Sequence, residues 1–193
     1  MTGVLIGVSN VVVWELELDP APGGKAKYKT PRQMPGVISA NINPNASTAT
    51  LFADDGPYES AASQGEISLE LNMAELSLED QAFLLGHTYE AGVLIRKGAD
   101  TPPTVAVAFR SLKSNGKYRY TTLTKGKFSL PEQNNQTKAD SIEFNTPTIN
   151  GAFLKRTCDD QWQRQADEDD EEAATLIANW FATPDGEAAV PGP

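Results

Sequence analysis

Strict alternation of apolar and polar residues over positions 66–73 constrains the fold more than any other feature of this chain. Ile67, Leu69, Leu71 and Met73 occupy every second position, and the residues between them are polar. Successive side chains of a β-strand point to opposite faces, so this period places four apolar side chains on one face. The segment predicts a strand that covers a core with one face and meets water with the other.

Further strand candidates predict a mainly β fold. They are bounded by Gly, Pro, Asn and Asp and lie at residues 11–18, 37–42, 48–52, 104–109, 117–123, 141–145 and 148–154. Asn115-Gly116 separates two of them and predicts a hairpin with a type I′ turn. The length of 193 residues suits one domain, expected over residues 1–182. Residues 183–193, rich in Ala, Gly and Pro, are predicted to form a flexible tail.

Two short helices are predicted beside the strands. Ser77 can cap the first, acids follow it in the first turn, and Gly86 suits the C-terminal end. The apolar face of this helix is predicted to hold Leu78, Ala82 and Leu85. The second helix is predicted over residues 171–182, with Ile177, Trp180 and Phe181 available for docking.

The net charge of −10 is concentrated in one segment. Residues 159–172 contain eight acids and one base, Arg164, so most of the negative charge lies there. Without a basic stripe the composition argues against nucleic-acid binding. Residues 167–172 do not fit a calcium-binding EF-hand loop, because Glu172 stands where glycine is needed, and a solvated face is predicted instead.

Compartment signals are few. Cys158 is the one cysteine, so no intramolecular disulfide is expected, and a buried role as a small apolar residue is predicted. Residues 1–13 lack the features of a secretory signal, and no apolar run reaches the roughly 20 residues of a membrane span. A reducing compartment and no membrane association are expected.

Candidate catalytic residues are sparse. His87, the one histidine, follows Gly86 and is predicted to be a surface or capping residue rather than a catalyst. Asp54, Asp55 and Glu59 could serve as paired carboxylates, but Asp-Asp-Gly-Pro is also typical of a solvated turn, which is the favoured interpretation. No cofactor, metal site or catalytic residue is predicted.

Bases and aromatic residues interleave around the predicted hairpin. The residues concerned are Lys113, Lys117, Tyr118, Arg119 and Tyr120. Stacking on nucleic-acid bases is one interpretation of such a pattern. Packing of side chains across the two strands is favoured over it.

Several stretches, taken in order, resemble the major tail tube proteins of long-tailed, siphovirus-type bacteriophages. They lie at residues 34–38, 49–57, 78–87, 109–128 and 141–147. The resemblance covers roughly residues 7–181 and implies a β-sandwich or half-open barrel with one flanking α-helix and a short C-terminal helix. It also implies that the chain is a structural protein of the virion and not an enzyme.

The resemblance further implies that six copies form a ring and that stacked rings form the tail tube, the conduit for DNA ejection. DNA would pass through without tight binding. The implied partners are other copies of the chain and the tape-measure, terminator and distal tail proteins. The location would be the virion tail, after synthesis in the host bacterial cytoplasm.

Residues 53–65 are predicted to form a long polar loop between two strands. Similar tube proteins use a long loop to reach the neighbouring ring, so ring-to-ring contact is predicted for Asp54, Asp55, Gly56, Pro57, Tyr58 and Glu59. Two alternatives stay open: another β-sandwich virion component (a baseplate or capsid-decoration protein) and, more distantly, a small carboxylate-dependent hydrolase.

Overall fold

A computed structural model describes residues 3–133 and 144–186 of the chain, and its fold is mainly β, as predicted. In chain order the first strands are β1 Leu5–Leu18, β2 Lys27–Tyr28, β3 Arg32–Met34, β4 Val37–Asn43, β5 Ala46–Ala53, β6 Gly56–Gln64 and β7 Ile67–Met73. They are followed by helix α1 Leu78–Leu85 and by β8 Thr88–Glu90, β9 Val93–Ile95, β10 Val105–Lys113, β11 Tyr118–Phe128, β12 Thr148–Leu154, β13 Gln163–Asp167 and helix α2 Ala174–Ala178.

Most strands belong to one large antiparallel sheet. Its order is β2-β1-β10-β11-β12-β7-β4, with β3 also paired to β1 and β13 also paired to β11. Strand β7 buries Ile67, Leu69, Leu71 and Met73, which confirms the alternation in the sequence. The pairs β5-β6 and β8-β9 form two separate hairpins outside this sheet.

Strands β1 and β10 are covered on both faces, so alternate residues enter two different cores. Val11 and Val13 join the larger core with β7, β12 and α1, whereas Val12 and Trp14 face a second cluster. Strand β10 divides in the same way, and residues 105–109 are all buried. Burial on both faces explains why these strands read as continuous apolar runs instead of alternating ones.

The C-terminal helical segment covers the second cluster. Trp180 is buried there and Ile177 and Phe181 pack against it, which confirms the predicted docking. The Trp180 and Tyr120 rings lie 5.9 Å apart between centroids. The helix is shorter than predicted: a 3-10 turn at Glu171–Ala173 leads into α2, which ends before Trp180.

Helix α1 has the predicted boundaries. The Ser77 hydroxyl accepts a hydrogen bond of 3.1 Å from the Asp80 amide, and Gly86 ends the helix in the left-handed conformation, with φ of 71°. The predicted apolar face was wrong at one position, because Leu78 is exposed, and Leu84 is buried with Ala82 and Leu85. Packing against the sheet, rather than helical periodicity alone, selects the buried face.

The hairpin between β10 and β11 is confirmed, but its turn differs from the prediction. The Gly116 amide donates to the Lys113 carbonyl at 2.9 Å, and the Lys113 amide donates to the Lys117 carbonyl at 2.8 Å. Gly116 has a φ of 83°, whereas Asn115 is not among the residues with positive φ. The connection is therefore a three-residue loop in which a type I turn is followed by a left-handed glycine, not a type I′ turn.

Two predictions concern segments that lie partly outside the described residues. Most of the strand predicted at residues 141–145 lies outside them, as do residues 187–193 of the predicted tail. Within the predicted tail, Asp185 forms an ion pair of 2.8 Å with Arg156. The boundary of the domain at residue 182 stays a prediction.

Candidate assembly surfaces

Residues 53–65 do not form the predicted loop. Residues 56–64 are strand β6, which pairs antiparallel with β5 from Ala46↔Gln64 to Ala53↔Gly56 and completes a long hairpin, here called the arm. Eight strand residues extend about 26 Å. Every residue of β5 and β6 is exposed except Gly56, which is half-buried, so the arm packs little against its own domain.

The turn of the arm is formed by Asp54 and Asp55. Both have positive φ, 51° and 61°, as a two-residue type I′ turn requires. Asp tolerates the left-handed conformation better than most residues, which explains its presence here. The prediction of a solvated turn at Asp54-Asp55 is confirmed, although the prediction of a surrounding loop was wrong.

The end of the arm combines large apolar side chains with acids. Phe52 and Tyr58 are 68% and 73% exposed, and Leu51 is exposed as well. A bulge between the pairs Leu51↔Glu59 and Phe52↔Pro57 leaves Tyr58 unpaired in the ladder. All six predicted contact residues, 54–59, therefore lie together at this end, here called the arm tip.

The large sheet also has strand edges. Strand β4 ends the sheet on one side and β2 ends it on the other. Ile38 of β4 is half exposed. Such edges carry unpaired backbone groups that can accept a strand of another chain.

The bases around the β10-β11 hairpin are paired with the acidic segment. The Lys113 ammonium, which is fully buried, lies 3.1 Å from the Asp167 carboxylate and also contacts Asp169. Arg119 donates two hydrogen bonds of 2.8 Å to Asp167, and together with Lys113 it lowers the pKa of Asp167 to about 2. The prediction of a solvated face was wrong for Asp167 and Asp169, because sequence alone does not reveal these partners.

Aromatic packing within the same hairpin agrees with the favoured interpretation. The Arg110 guanidinium lies 4.4 Å from the centre of the Tyr118 ring, and the Tyr118 and Tyr120 rings are 6.5 Å apart. The hydrogen bond that Lys113 donates to the Asp169 carboxylate is the main cause of the raised pKa of Lys113. The hairpin presents neutralised bases and packed rings rather than a free basic surface.

His87 was predicted to be a surface or capping residue, and it lies at the end of α1, where its amide donates to the Ala82 carbonyl at 3.0 Å. Its side chain is 5% exposed, and its Nδ1 lies 2.7 Å from the Asp100 carboxylate, which also accepts from the Lys97 amide. The Lys97 amide, and next the His87 bond, lower the pKa of Asp100. The pair joins the two ends of the segment that carries the β8-β9 hairpin. This hairpin was not predicted, because its strands are only three residues long and give no clear alternation.

The remaining chemical candidates are a metal-binding group and the one cysteine. Residues 3–133 and 144–186 contain no group of three His, Cys, Asp or Glu that could hold a metal ion. Cys158 is buried, as predicted, and burial raises the pKa of its thiol. No helix in these ranges is long and apolar enough to cross a membrane.

The fold and its surfaces define an antiparallel β protein with a long exposed arm and open sheet edges. The sequence model of the family described as "Phage tail tube protein" matches residues 26–178. The chain therefore belongs to the phage tail tube protein family, and it is a structural tail tube protein of the virion tail. No curated protein matches the chain.

Proposed function

We propose that this protein polymerises as stacked hexameric rings that form the tail tube, and that this tube conducts DNA during ejection. The arm is the observation that carries the proposal. A hairpin of 19 residues that buries almost nothing in its own domain gains little stability there. Contact with another subunit would give its exposed Leu51, Phe52 and Tyr58 a partner.

In this proposal the arm makes the contacts between rings and the sheet edges make the contacts within a ring. A head-to-tail contact that closes by rotation gives a ring, and a second contact that does not close gives an open stack. Pairing of strand edges such as β4 and β2 between neighbours would remove the exposed edges of each subunit. Two separate surfaces thus serve two separate directions of growth.

The charge distribution supports passage of DNA without tight binding. Lys113, Lys117 and Arg119 are held in ion pairs with Asp167 and Asp169. A lysine facing the lumen without such a partner would recur six times in each ring and add phosphate contacts at every level of the stack. Bases that are already paired with carboxylates make fewer phosphate contacts and so hold the DNA less tightly.

Shortening the arm tests its role directly. Replacing residues 48–62 by Asn-Gly keeps the Ser47↔Ser63 pair, with its 2.9 Å hydroxyl contact, and closes it with a compatible two-residue turn. We expect an unchanged thermal melt and circular dichroism spectrum, with assembly arrested at monomers or single rings in negative-stain microscopy. A full-length control carrying Ala61→Ser and Ala62→Ser should form tubes. Tubes of ordinary appearance from the shortened variant would show that the arm does not stack rings.

A further inference from the structure

The arm tip presents acids and apolar side chains with no base. Residues 46–64 contain Asp54, Asp55 and Glu59 but neither lysine nor arginine. Leu51, Phe52 and Tyr58 lie beside these acids and are all more than half exposed. A surface that receives this tip should therefore offer exposed apolar side chains next to cations without carboxylate partners.

The β8-β9 hairpin and the two residues after it have this composition. Tyr89, Val93 and Ile95 are exposed on a hairpin of only six paired residues. Arg96 and Lys97 follow directly and are also exposed. Neither base has a carboxylate of a described residue within ion-pair distance. The charge of Lys97 helps to lower the pKa of the nearby Asp100, and Arg96 donates to the neutral Gln81 amide oxygen at 2.8 Å.

Most other bases of the described residues are already engaged by carboxylates. Ion pairs occupy Lys29, Arg32, Lys113, Lys117, Arg119, Lys125, Lys155, Arg156 and Arg164. Lys27 and Lys127 are exposed outside such pairs, but they lie on different strands and far apart in the chain. Arg110 is half-buried over the Tyr118 ring. Among the described residues, Arg96 and Lys97 are thus consecutive exposed bases outside ion pairs and next to several exposed apolar side chains.

The hairpin is also held in a fixed position, as a receiving surface should be. The His87-Asp100 bond of 2.7 Å closes the base of its segment, and Asp100 additionally accepts from the Lys97 amide at 2.8 Å. The Arg96-Gln81 bond ties the same region to α1. Side chains that are positioned before binding lose less entropy on association.

We propose that the β8-β9 hairpin with Arg96 and Lys97 is the receptor for the arm tip of a second copy of this chain. The inference rests on the proposed role of the arm in stacking and names the partner surface for it. Phe52 and Tyr58 pack against Tyr89, Val93 and Ile95, and the acids Asp54 and Asp55 pair with Arg96 and Lys97. Burial of the arm tip and of the β8-β9 hairpin in this contact stabilises two stacked rings relative to two separate rings.

Charge reversal and its compensation test this pairing. Arg96→Glu with Lys97→Glu should abolish tubes in negative-stain microscopy while the thermal melt stays that of the parent. Adding Asp54→Asn, Asp55→Asn and Glu59→Lys to the same chain should restore tubes, because asparagine tolerates the left-handed turn and the arm tip then carries a positive charge. The variant with Asp54→Asn, Asp55→Asn and Glu59→Lys alone should also fail to form tubes.

A matched control carries the same change in net charge elsewhere. Lys127→Glu with Lys155→Glu alters one exposed base on β11 and one directly after β12, and it should leave tubes intact. The ion pair of Lys155 with Asp160 is exposed on both sides and contributes little to stability. Ordinary tubes from the Arg96 and Lys97 double variant would overturn the inference, and so would loss of tubes without rescue by the compensating changes. The shortened-arm variant separates the two proposals: if it stops assembly while the charge-reversed variant assembles normally, the arm stacks rings through another receptor.

Discussion

Arg119 holds Asp167 with two parallel hydrogen bonds, from Nε and Nη2, each 2.8 Å long. Their Cα atoms are partners in the β11-β13 ladder, so the side chains meet across paired strands. Asp167→Asn should weaken this bidentate contact and destabilise the protein by about 1–2 kcal/mol, as expected for hydrogen bonds between charged groups. Urea unfolding at neutral pH measures the loss, and Glu66→Gln, at an exposed position away from this ladder, provides the comparison.

The same carboxylate predicts a dependence of stability on pH. Hydrogen bonds from Arg119 and Lys113 depress the pKa of Asp167 in the folded protein to about 2, below its ordinary value of 3.8. A depressed carboxyl pKa contributes stability that is present above the ordinary pKa and is lost as pH falls toward the folded value. Thermal melts of the parent should therefore fall more steeply from pH 4 to pH 2 than those of Asp167→Asn. Parallel curves would contradict this role of Asp167.

Gly126 is required by close packing against Phe153. A Cβ at position 126 would overlap the Phe153 ring and lie 2.7 Å from the Ala152 carbonyl oxygen. Phe153 is fully buried and packs edge-on against Phe128, so it has little room to move. Gly126→Ala should cost about 1–3 kcal/mol through overpacking. Gly7→Ala, where an added Cβ meets no atom within 4 Å, should be tolerated in the same denaturation experiment.

Trp180 fixes the C-terminal segment on the second core. Its ring is buried against Tyr120, and Arg164 lies 5.9 Å from its centre. Trp180→Ala should destabilise the protein by about 3–5 kcal/mol, since it removes a large buried ring. Trp180→Phe keeps an aromatic side chain and should cost less. A change below 1 kcal/mol for Trp180→Ala in urea unfolding would mean that this segment contributes little to the fold.

Elements that are specified by neighbouring residues were predicted correctly. The alternation that ends at Met73 lies within strand β7 itself, and Ser77 directly precedes the helix that it caps. The first strand of the arm, β5, was predicted at residues 48–52, but β6 was missed. Neither face of β6 is buried, so it carries no apolar period, and its Ser and Ala residues have no strong strand preference. Its pairing depends on β5 alone.

The other differences between prediction and structure involve residues that are far apart in the sequence and meet only in the folded chain. Lys113 and Asp169 are 56 positions apart in the chain, and only the pairing of β13 with β11 brings them together. His87 likewise bonds to Asp100, which lies beyond the β8-β9 hairpin, 13 positions further along the chain. The candidate contact residues 54–59 could be placed in one segment from sequence and family resemblance, but their receptor requires the surface of the folded chain.

The apolar side chains of the arm tip allow folding and assembly to be separated. Phe52 and Tyr58 are 68% and 73% exposed, so Phe52→Ser with Tyr58→Ser should change the free energy of unfolding by only about 0.5 kcal/mol or less. The same pair should carry a large share of the stacking contact, because exposed aromatic residues contribute strongly when they are buried in an interface. We expect a normal melt and loss of tubes, measured by calorimetry and negative-stain microscopy on one preparation. Leu154→Ser, an exposed apolar position outside the arm, should keep both properties, whereas tubes from the Phe52 and Tyr58 double variant would show that these rings do not contribute to stacking.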